Sequence, residues 1–410
     1  MREPLVGRAS RRQTVLRERP VHLDYTPEQQ ALREELRAYF ARLVTPEYQA
    51  ELAATEGGGP LYLQTVRRLG ADGWLGIGWP REYGGQGRTP IEQFIFFDEA
   101  ARAGIMLPTL TINAVAQAIM EHGTAAQKAR FLPAILRGEC HFAIGYTEAS
   151  SGTDLASLRT RAVRDGDAWV VNGAKLFTSQ AEFADYIWLA ARTDPDAPKH
   201  KGISMFIVPT SAPGYKITPI RTMGDVRTNA TYYEDVRVPA EDLIGPENGG
   251  WWLITTQLNH ERIALSAVGY VDRIFEDACA WAHATRLASG ERVIDRPWVQ
   301  LHLARVRAGL EVLRLLNWQQ AWSMTRGTLN YAEASAVKVY GSEFYVQAYQ
   351  LLLEVMGEAG ALKAGSPGTV LKGRVERMYR ATLILTFGGG TNEVQRDIIA
   401  MAGLGMPRAR

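Results

Sequence analysis

The hydrophobic period changes twice along this chain, and that alternation limits what it can fold into. From Thr26 to about residue 138 apolar residues recur at helical spacing; from about 139 to 242 they fall into short runs between turns; beyond about 248 helical spacing returns. A first helix is predicted at Asp24-Tyr25-Thr26-Pro27-Glu28. There Thr26 caps, Pro27 fills the first turn and acidic charge sits near the positive end of the helix dipole. Leu32, Leu36, Tyr39 and Phe40 then mark its apolar face. Further helices are predicted over about 62–72, 90–103, 109–121 and 125–137, broken by Gly78-Trp79-Pro80-Arg81-Glu82-Tyr83-Gly84-Gly85. Strands are predicted at 168–171, 186–189, 203–208 and 232–238. Helical patterns at about 248–287, 295–326, 331–357, 367–384 and 391–402 are long enough to pack as an antiparallel bundle. The class is therefore α+β, mainly α, ordered helices, sheet, helices.

At 410 residues the chain exceeds the size of one growing core, so two or three packed lobes are expected. The divisions are a flexible basic extension over 1–22, an N-terminal helical domain over 23–138, a β-domain over 139–245 and a helical bundle over 246–410. Arg2, Arg8, Arg11, Arg12, Arg17 and Arg19 lie in the first stretch without an apolar core, which does not describe a secretory signal. A net charge of +2, with Lys and Arg scattered, argues against nucleic-acid or membrane-surface partners. No run reaches the roughly 20 apolar residues of a membrane span. Cys140 and Cys279 stand far apart without metal-ligand spacing, so two buried reduced thiols, no metal and a cytoplasmic setting are expected.

Three segments carry the chemistry. Ile144-Gly145-Tyr146-Thr147-Glu148-Ala149-Ser150-Ser151-Gly152-Thr153-Asp154 combines small residues, which let backbone N–H groups approach a ligand, with the hydroxyls of Thr147 and Thr153. Asn172-Gly173-Ala174-Lys175-Leu176-Phe177-Thr178-Ser179 pairs a turn signal with an aromatic ring and a hydroxyl. Phe387-Gly388-Gly389-Gly390-Thr391-Asn392-Glu393-Val394-Gln395-Arg396 places three glycines before a helix that Thr391 can cap. Singly, these read as a polar turn, a hairpin turn and a linker. In this order, with Gly224-Asp225 and Asp235-Val236-Arg237-Val238-Pro239, they resemble the acyl-CoA dehydrogenase family over roughly 24–408.

The resemblance implies a helical N-terminal domain, a β-barrel-like middle domain and a C-terminal four-helix bundle. It also implies FAD, held by Ile144, Tyr146, Thr147, Gly152, Thr153, Phe177, Ser179, Arg286, Thr391 and Glu393, and an acyl-CoA substrate. Phe177 and Ser179 stand where the family more often has Trp and Thr, which keeps a ring and a hydroxyl. Many members carry the catalytic glutamate two residues before the loop threonine, a position held here by Gly389. A second group, resembling isovaleryl-CoA and long-chain acyl-CoA dehydrogenases, places it on a C-terminal-domain helix just before an arginine. Here that is Leu258-Asn259-His260-Glu261-Arg262-Ile263. By this likeness Glu261 removes the α-proton while hydride leaves for flavin N5. The Gly389 N–H and a flavin ribityl hydroxyl hold the thioester oxygen, with Arg262 and Gly388 beside the substrate. A plainer reading makes Glu261 a surface glutamate paired with Arg262 and His260 a packed neighbour.

In related homotetramers a neighbouring subunit completes each flavin through an Arg and a Phe in one segment and a Gln in another. Arg286 matches, but Ser289 replaces the Phe, and Glu354, in Leu353-Glu354-Val355-Met356-Gly357-Glu358-Ala359-Gly360, replaces the Gln. A carboxylate facing a diphosphate is repelled. With near-matches over 258–265 and 384–396, this pattern resembles actinobacterial α2β2 dehydrogenases of steroid side-chain degradation. That implies the base-carrying subunit, a second dehydrogenase-like subunit as partner, a cholesterol-type side-chain CoA ester as substrate and an electron-transfer flavoprotein as acceptor. A fatty acyl-CoA dehydrogenase, an acyl-CoA oxidase on the same fold and a non-catalytic subunit remain alternatives; nitroalkane oxidation would need a different catalytic residue type.

Overall fold

The computed structural model describes residues 24–55, 58–261 and 266–407, with backbone alone at 258–261, so the basic stretch 1–22 lies outside the described residues. The N-terminal helices are α1 (Pro27–Leu43), α2 (Pro46–Ala54), α3 (Pro60–Ala71), α4 (Pro90–Ala103), α5 (Ala116–His122) and α6 (Ala125–Leu136). Local chemistry sets their starts. Thr26, Thr89 and Thr124 each accept from the backbone three residues on, and Gln29, Glu92 and Gln127 return the bond. The periodic pattern missed α2, which buries only Tyr48 and is announced by its cap pair Thr45-Pro46 alone. The helix expected from 109 opens as a π-helical stretch, Leu110–Val115, before α5.

The middle of the chain forms β1 (Phe142–Gly145), β2 (Arg161–Asp165), β3 (Ala168–Lys175), β4 (Tyr186–Arg192), β5 (Ile203–Pro209), β6 (Tyr215–Arg221), β7 (Arg227–Pro239) and β8 (Leu243–Ile244). The sheet order is β6-β7-β3-β2-β4-β5-β8, and β1 joins β4 in parallel. Asn172-Gly173 does not make a hairpin turn. It lies inside β3, where the register against β7 shifts between Val171 and Gly173. Asn172 brackets that irregularity by bonding Asp235, whose φ is +51°.

The buried β4 shows why the sheet is central. Trp188 and Ala190 join the N-terminal core with Leu36, Phe40, Trp79 and Phe96, while Ile187, Leu189 and Ala191 face a second core with Trp169, Phe206 and Val236. Side-chain period two sends alternate residues to opposite layers.

The C-terminal part holds α7 (Gly250–Glu261), α8 (Gly269–Ala284), α9 (Pro297–Thr325), α10 (Tyr331–Met356), α11 (Arg374–Thr382) and α12 (Asn392–Ile398). The single helix expected over 248–287 is two helices with different partners. Leu253 and Ile254 of α7 belong to the N-terminal core, whereas Val268, Val271 and Ile274 belong to the bundle core. The helix expected from 367 begins only at Arg374, after Leu371 and Lys372 take φ of +46° and +56°. Both cysteines are free, but only Cys140 is buried; Cys279 is half-buried, against expectation. Burial pushes the Cys140 thiol up to about 12 and the Cys279 thiol upward as well, so neither is poised to react.

Asp98 on α4 welds the first lobe to the bundle. Its Oδ1 accepts the Gly269 N–H at 2.9 Å, which gives α8 the capping acceptor its own Val268 lacks. Arg102, one turn on, pairs with Asp272 and Glu276. Burial, aided by Glu99, raises the Asp98 carboxyl from 3.8 to about 6, with the Gly269 N–H opposing. Between those values the native state keeps a proton that the unfolded chain has lost, so its stability falls as pH rises through the window. Asp98→Asn keeps an acceptor without the charge. Denaturant titrations should show its stability gaining on wild type as pH rises from about 4 to about 6, and then levelling.

Candidate active site

The first two sequence segments meet at the C-terminal end of β3. The Leu176 N–H donates to Thr147 O at 2.8 Å, and Lys175 Nζ donates to Tyr146 O at 3.1 Å and to Glu148 Oε1 at 2.8 Å. Glu148 also accepts the Arg159 and Thr160 N–H groups at 2.7 and 2.8 Å. Burial opposes the charge of Glu148, but Lys175 and the two N–H donors hold its carboxyl below the usual range. Burial draws Lys175 down to about 8, with Glu148 resisting. This pair fixes the 144–154 loop against β3.

Beyond β3 the chain turns Phe177 outward. The ring is 58% exposed and its backbone sits at φ +59°, a costly conformation for a bulky residue. The Leu176 bond on one side and a Thr178 N–H to Asn229 O bond on the other hold it there. Ser179 Oγ shares a 3.1 Å hydrogen bond with Thr228. Gly152 and Thr153 lie exposed, and a Cβ at Gly152 would meet nothing within 4 Å, so the loop tip is open to an approaching group. Ile144 and Thr147 are half-buried beneath it.

Tyr146 differs from its neighbours: its ring is buried and its hydroxyl bonds Gln257 Oε1. Trp188 Nε1 donates to both, at 3.1 Å each. Gln257 stands on α7 one turn before Glu261, the last residue of that helix. The first loop is thereby tied to the helix that carries the expected base. The side chains of His260 and Glu261, and Arg262 entirely, lie outside the described residues.

The third segment is bound to the bundle. Gly389 and Gly390 take φ of +69° and +91°, open to glycine, and the Gly388 N–H donates to Ile384 O at 2.7 Å. Thr391 caps α12 by accepting the Val394 N–H, and Glu393 is exposed in its first turn. Among the described residues no hydrogen bond joins this segment to the first two. What brings sheet and bundle together is the β6–β7 hairpin: Asp225 pairs with Arg380 at 2.6 Å, and a Cβ on Gly224 would lie 2.8 Å from Ala381 Cα. The exposed Arg286 donates to Gly290 O at 2.7 Å, and Glu354 pairs with His302 at 2.7 Å. Both residues named for a neighbour's flavin thus have partners within their own chain.

The chain matches three consecutive acyl-CoA dehydrogenase domain families: N-terminal over 26–139, middle over 143–236 and C-terminal over 248–404. The chain belongs to the acyl-CoA dehydrogenase family. It is 54% identical to the acyl-CoA dehydrogenase FadE26 of Mycobacterium tuberculosis over 95% of this chain and 100% of that one. Among solved structures it is similar to the ChsE4-ChsE5 complex from Mycobacterium tuberculosis, at 55% identity and a TM-score of 0.89 over 95% of this chain and 100% of that one. It is likewise similar to the Tcur3481-Tcur3483 steroid ACAD, at 50% identity and a TM-score of 0.90 with the same coverage. This acyl-CoA dehydrogenase is an oxidoreductase of a family whose members are generally FAD-dependent. No helix among its described residues is long and apolar enough to cross a membrane.

Sequence reasoning passed over Lys175 and Gln257. The first sat inside a quoted motif but was read for its turn; the second carries no local signal. Glu148→Gln should leave the Lys175 ammonium buried without its counter-charge and cost about 3 kcal/mol near neutral pH. Because the native Glu148 carboxyl lies below 4.5, the benefit is present above that value and lost as pH falls through the lower native one. The gap between wild type and variant in denaturant titrations should therefore close on acidification.

Proposed function

We propose that this acyl-CoA dehydrogenase introduces a double bond between the α and β carbons of a steroid (cholesterol-type) side-chain CoA ester, as the base-carrying subunit of a two-chain assembly. The Tyr146–Gln257 bond supports the mechanistic reading, since it ties the 144–154 loop to α7 one helical turn before position 261. The residues fit FAD. An apolar ring is held outward at a strained φ on Phe177, and beside it lies a glycine-bearing loop with open space at Gly152. When bound, FAD supplies the hydride acceptor.

The protein's own groups do the rest. A proton next to a thioester is weakly acidic, so its removal needs a carboxylate made more basic by a dry pocket, together with donors to the enolate-like oxygen. Glu261 fills the first role and the Gly389 N–H the second, with Gly388 beside the substrate. Ile144, Thr147, Thr153, Ser179, Thr391 and Glu393 contribute to the cofactor cradle, and Arg262 sits beside the substrate. Glu261→Gln should still purify yellow with FAD while turnover falls on the order of 10³-fold or more. Wild-type rates in that variant would refute the role.

The steroid reading follows the likeness to the steroid ACAD at 50% identity. The partner reading rests on the outer face of α9, where Trp298, Leu301, Val312, Leu315 and Trp322 are all exposed at three- and four-residue multiples. Such a stripe seeks another helix. Both solved relatives named above carry two chain names, which points to a second dehydrogenase-like chain as its cover. An electron-transfer flavoprotein is the expected acceptor. Leu315→Glu should abolish co-purification of the co-expressed partner and lower flavin content, with the circular dichroism of the chain unchanged. A flavinated, active homotetramer of this chain alone would overturn the two-chain assembly.

A further inference from the structure

The third loop is held from beneath by two buried polar side chains that the mechanism above does not use. Lys338 on α10, 2% exposed, donates from Nζ to Gly390 O and to Asn392 Oδ1, both at 2.8 Å. Gln395 on α12, fully buried, donates from Nε2 to Gly389 O at 3.4 Å. Asn392 is itself fastened, through Ser342 and Glu343 of α10. Two successive carbonyls of a three-glycine run are thus drawn toward the bundle interior.

A trans peptide points its N–H opposite to its carbonyl, and no peptide among the described residues is cis. Pulling the Gly389 and Gly390 carbonyls inward therefore turns the N–H groups of Gly390 and Thr391 away from α10 and α12. With the Gly388 N–H already bonded to Ile384 O, the loop acquires two sides, an acceptor side on the bundle and a donor side facing out. The ammonium also polarises the Gly390–Thr391 peptide it holds, which strengthens that unit as a donor. Glycine at 390 is part of the device: a Cβ there would lie 2.7 Å from Gln395 Nε2, at a φ of +91°.

We propose that Lys338, assisted by Gln395, is a positioning residue that fixes the Gly389–Thr391 backbone, so that its N–H groups, that of Gly389 included, form the donor surface for the thioester oxygen. The proposal rests on the acyl-CoA reading above and adds the residues that preset the loop. It places no side chain of α10 on the substrate.

The test uses the FAD-loaded protein with its co-purified partner and a CoA ester that wild type dehydrogenates. Lys338→Met should keep KM within about 3-fold while kcat, per bound flavin, falls by about 10²-fold, as expected when an oxyanion donor is misaligned. The α-deuterium isotope effect on kcat should rise, because proton removal becomes slower relative to the other steps. Independently of turnover, amide hydrogen exchange of the peptide spanning 387–392 should accelerate at least about 10-fold in Lys338→Met, with the α9 amides unchanged. Unchanged kcat per flavin, or loop exchange at the wild-type rate, overturns the proposal, as does a lower Tm with normal kcat in the molecules that remain folded. Should Lys338→Met fail to fold, Gln395→Leu carries the same three readouts against the same criteria. If wild type dehydrogenates no CoA ester, the acyl-CoA reading fails, while loop exchange still decides the tether.

Discussion

The Lys175 ammonium has no access to solvent, and its charge is accommodated only because Glu148 and the Tyr146 carbonyl surround it. A buried cation at this depth costs several kcal/mol unless its partners are in place. The arrangement is therefore close to all-or-none. Either the 144–154 loop lies against β3 with its carboxylate inward, or the strand cannot close over the lysine. Glu148 in turn holds the Arg159 and Thr160 N–H groups, so the loop is fastened at its start and again where the chain enters β2. The outward display of Phe177 follows from this. The residues before it are clamped to the loop, and Thr178 is clamped to Asn229, leaving its ring toward solvent.

The same device recurs at the other places where glycine-rich or irregular backbone must hold one shape. Gln257, from α7, grips the Tyr146 hydroxyl under the first loop. Lys338, from α10, grips the third loop. Asp98, from α4, grips the start of α8. Each is a buried polar side chain on a helix; the first two reach loops, and Asp98 reaches the first residue of another helix. Helix and sheet cores supply the rigidity, and a single polar tether transmits it to the loop.

The outer surface of the bundle obeys a different logic. Trp298, Leu301, Val312, Leu315 and Trp322 of α9 are left uncovered, while Val299, Leu303, Val306, Leu310 and Leu313 pack another face of the helix into the bundle core. A helix with apolar residues on two faces buries one within its own chain and offers the other. The Glu354–His302 pair lies on this part of the bundle, joining α10 to α9. The glutamate at a position expected to assist a neighbour's cofactor thus has a place in its own subunit.

Much was written locally. Threonine and proline at Thr26-Pro27 and Thr89-Pro90 set helix starts because a cap needs only its next three residues. The change of period marked the sheet because alternation shows within a few residues, and the three glycines of the third loop announced a backbone that side chains would obstruct. The break in the 248–287 helix was not legible, because both halves are apolar at helical spacing and only the core each enters tells them apart. Nor was Asn172-Gly173 legible as a bulge, since a hairpin turn and a bulge ask for the same residues. The tethers were beyond any local reading. Lys175 meets Glu148 across 27 residues, Gln257 meets Tyr146 across 111, and Lys338 meets Gly390 across 52. The sequence by itself determined which residues could do the chemistry and what elements they lie in, since those depend on near neighbours. Only the tertiary structure decided which buried charge faces which loop, because that choice is made by the packing of layers that no short stretch of chain contains.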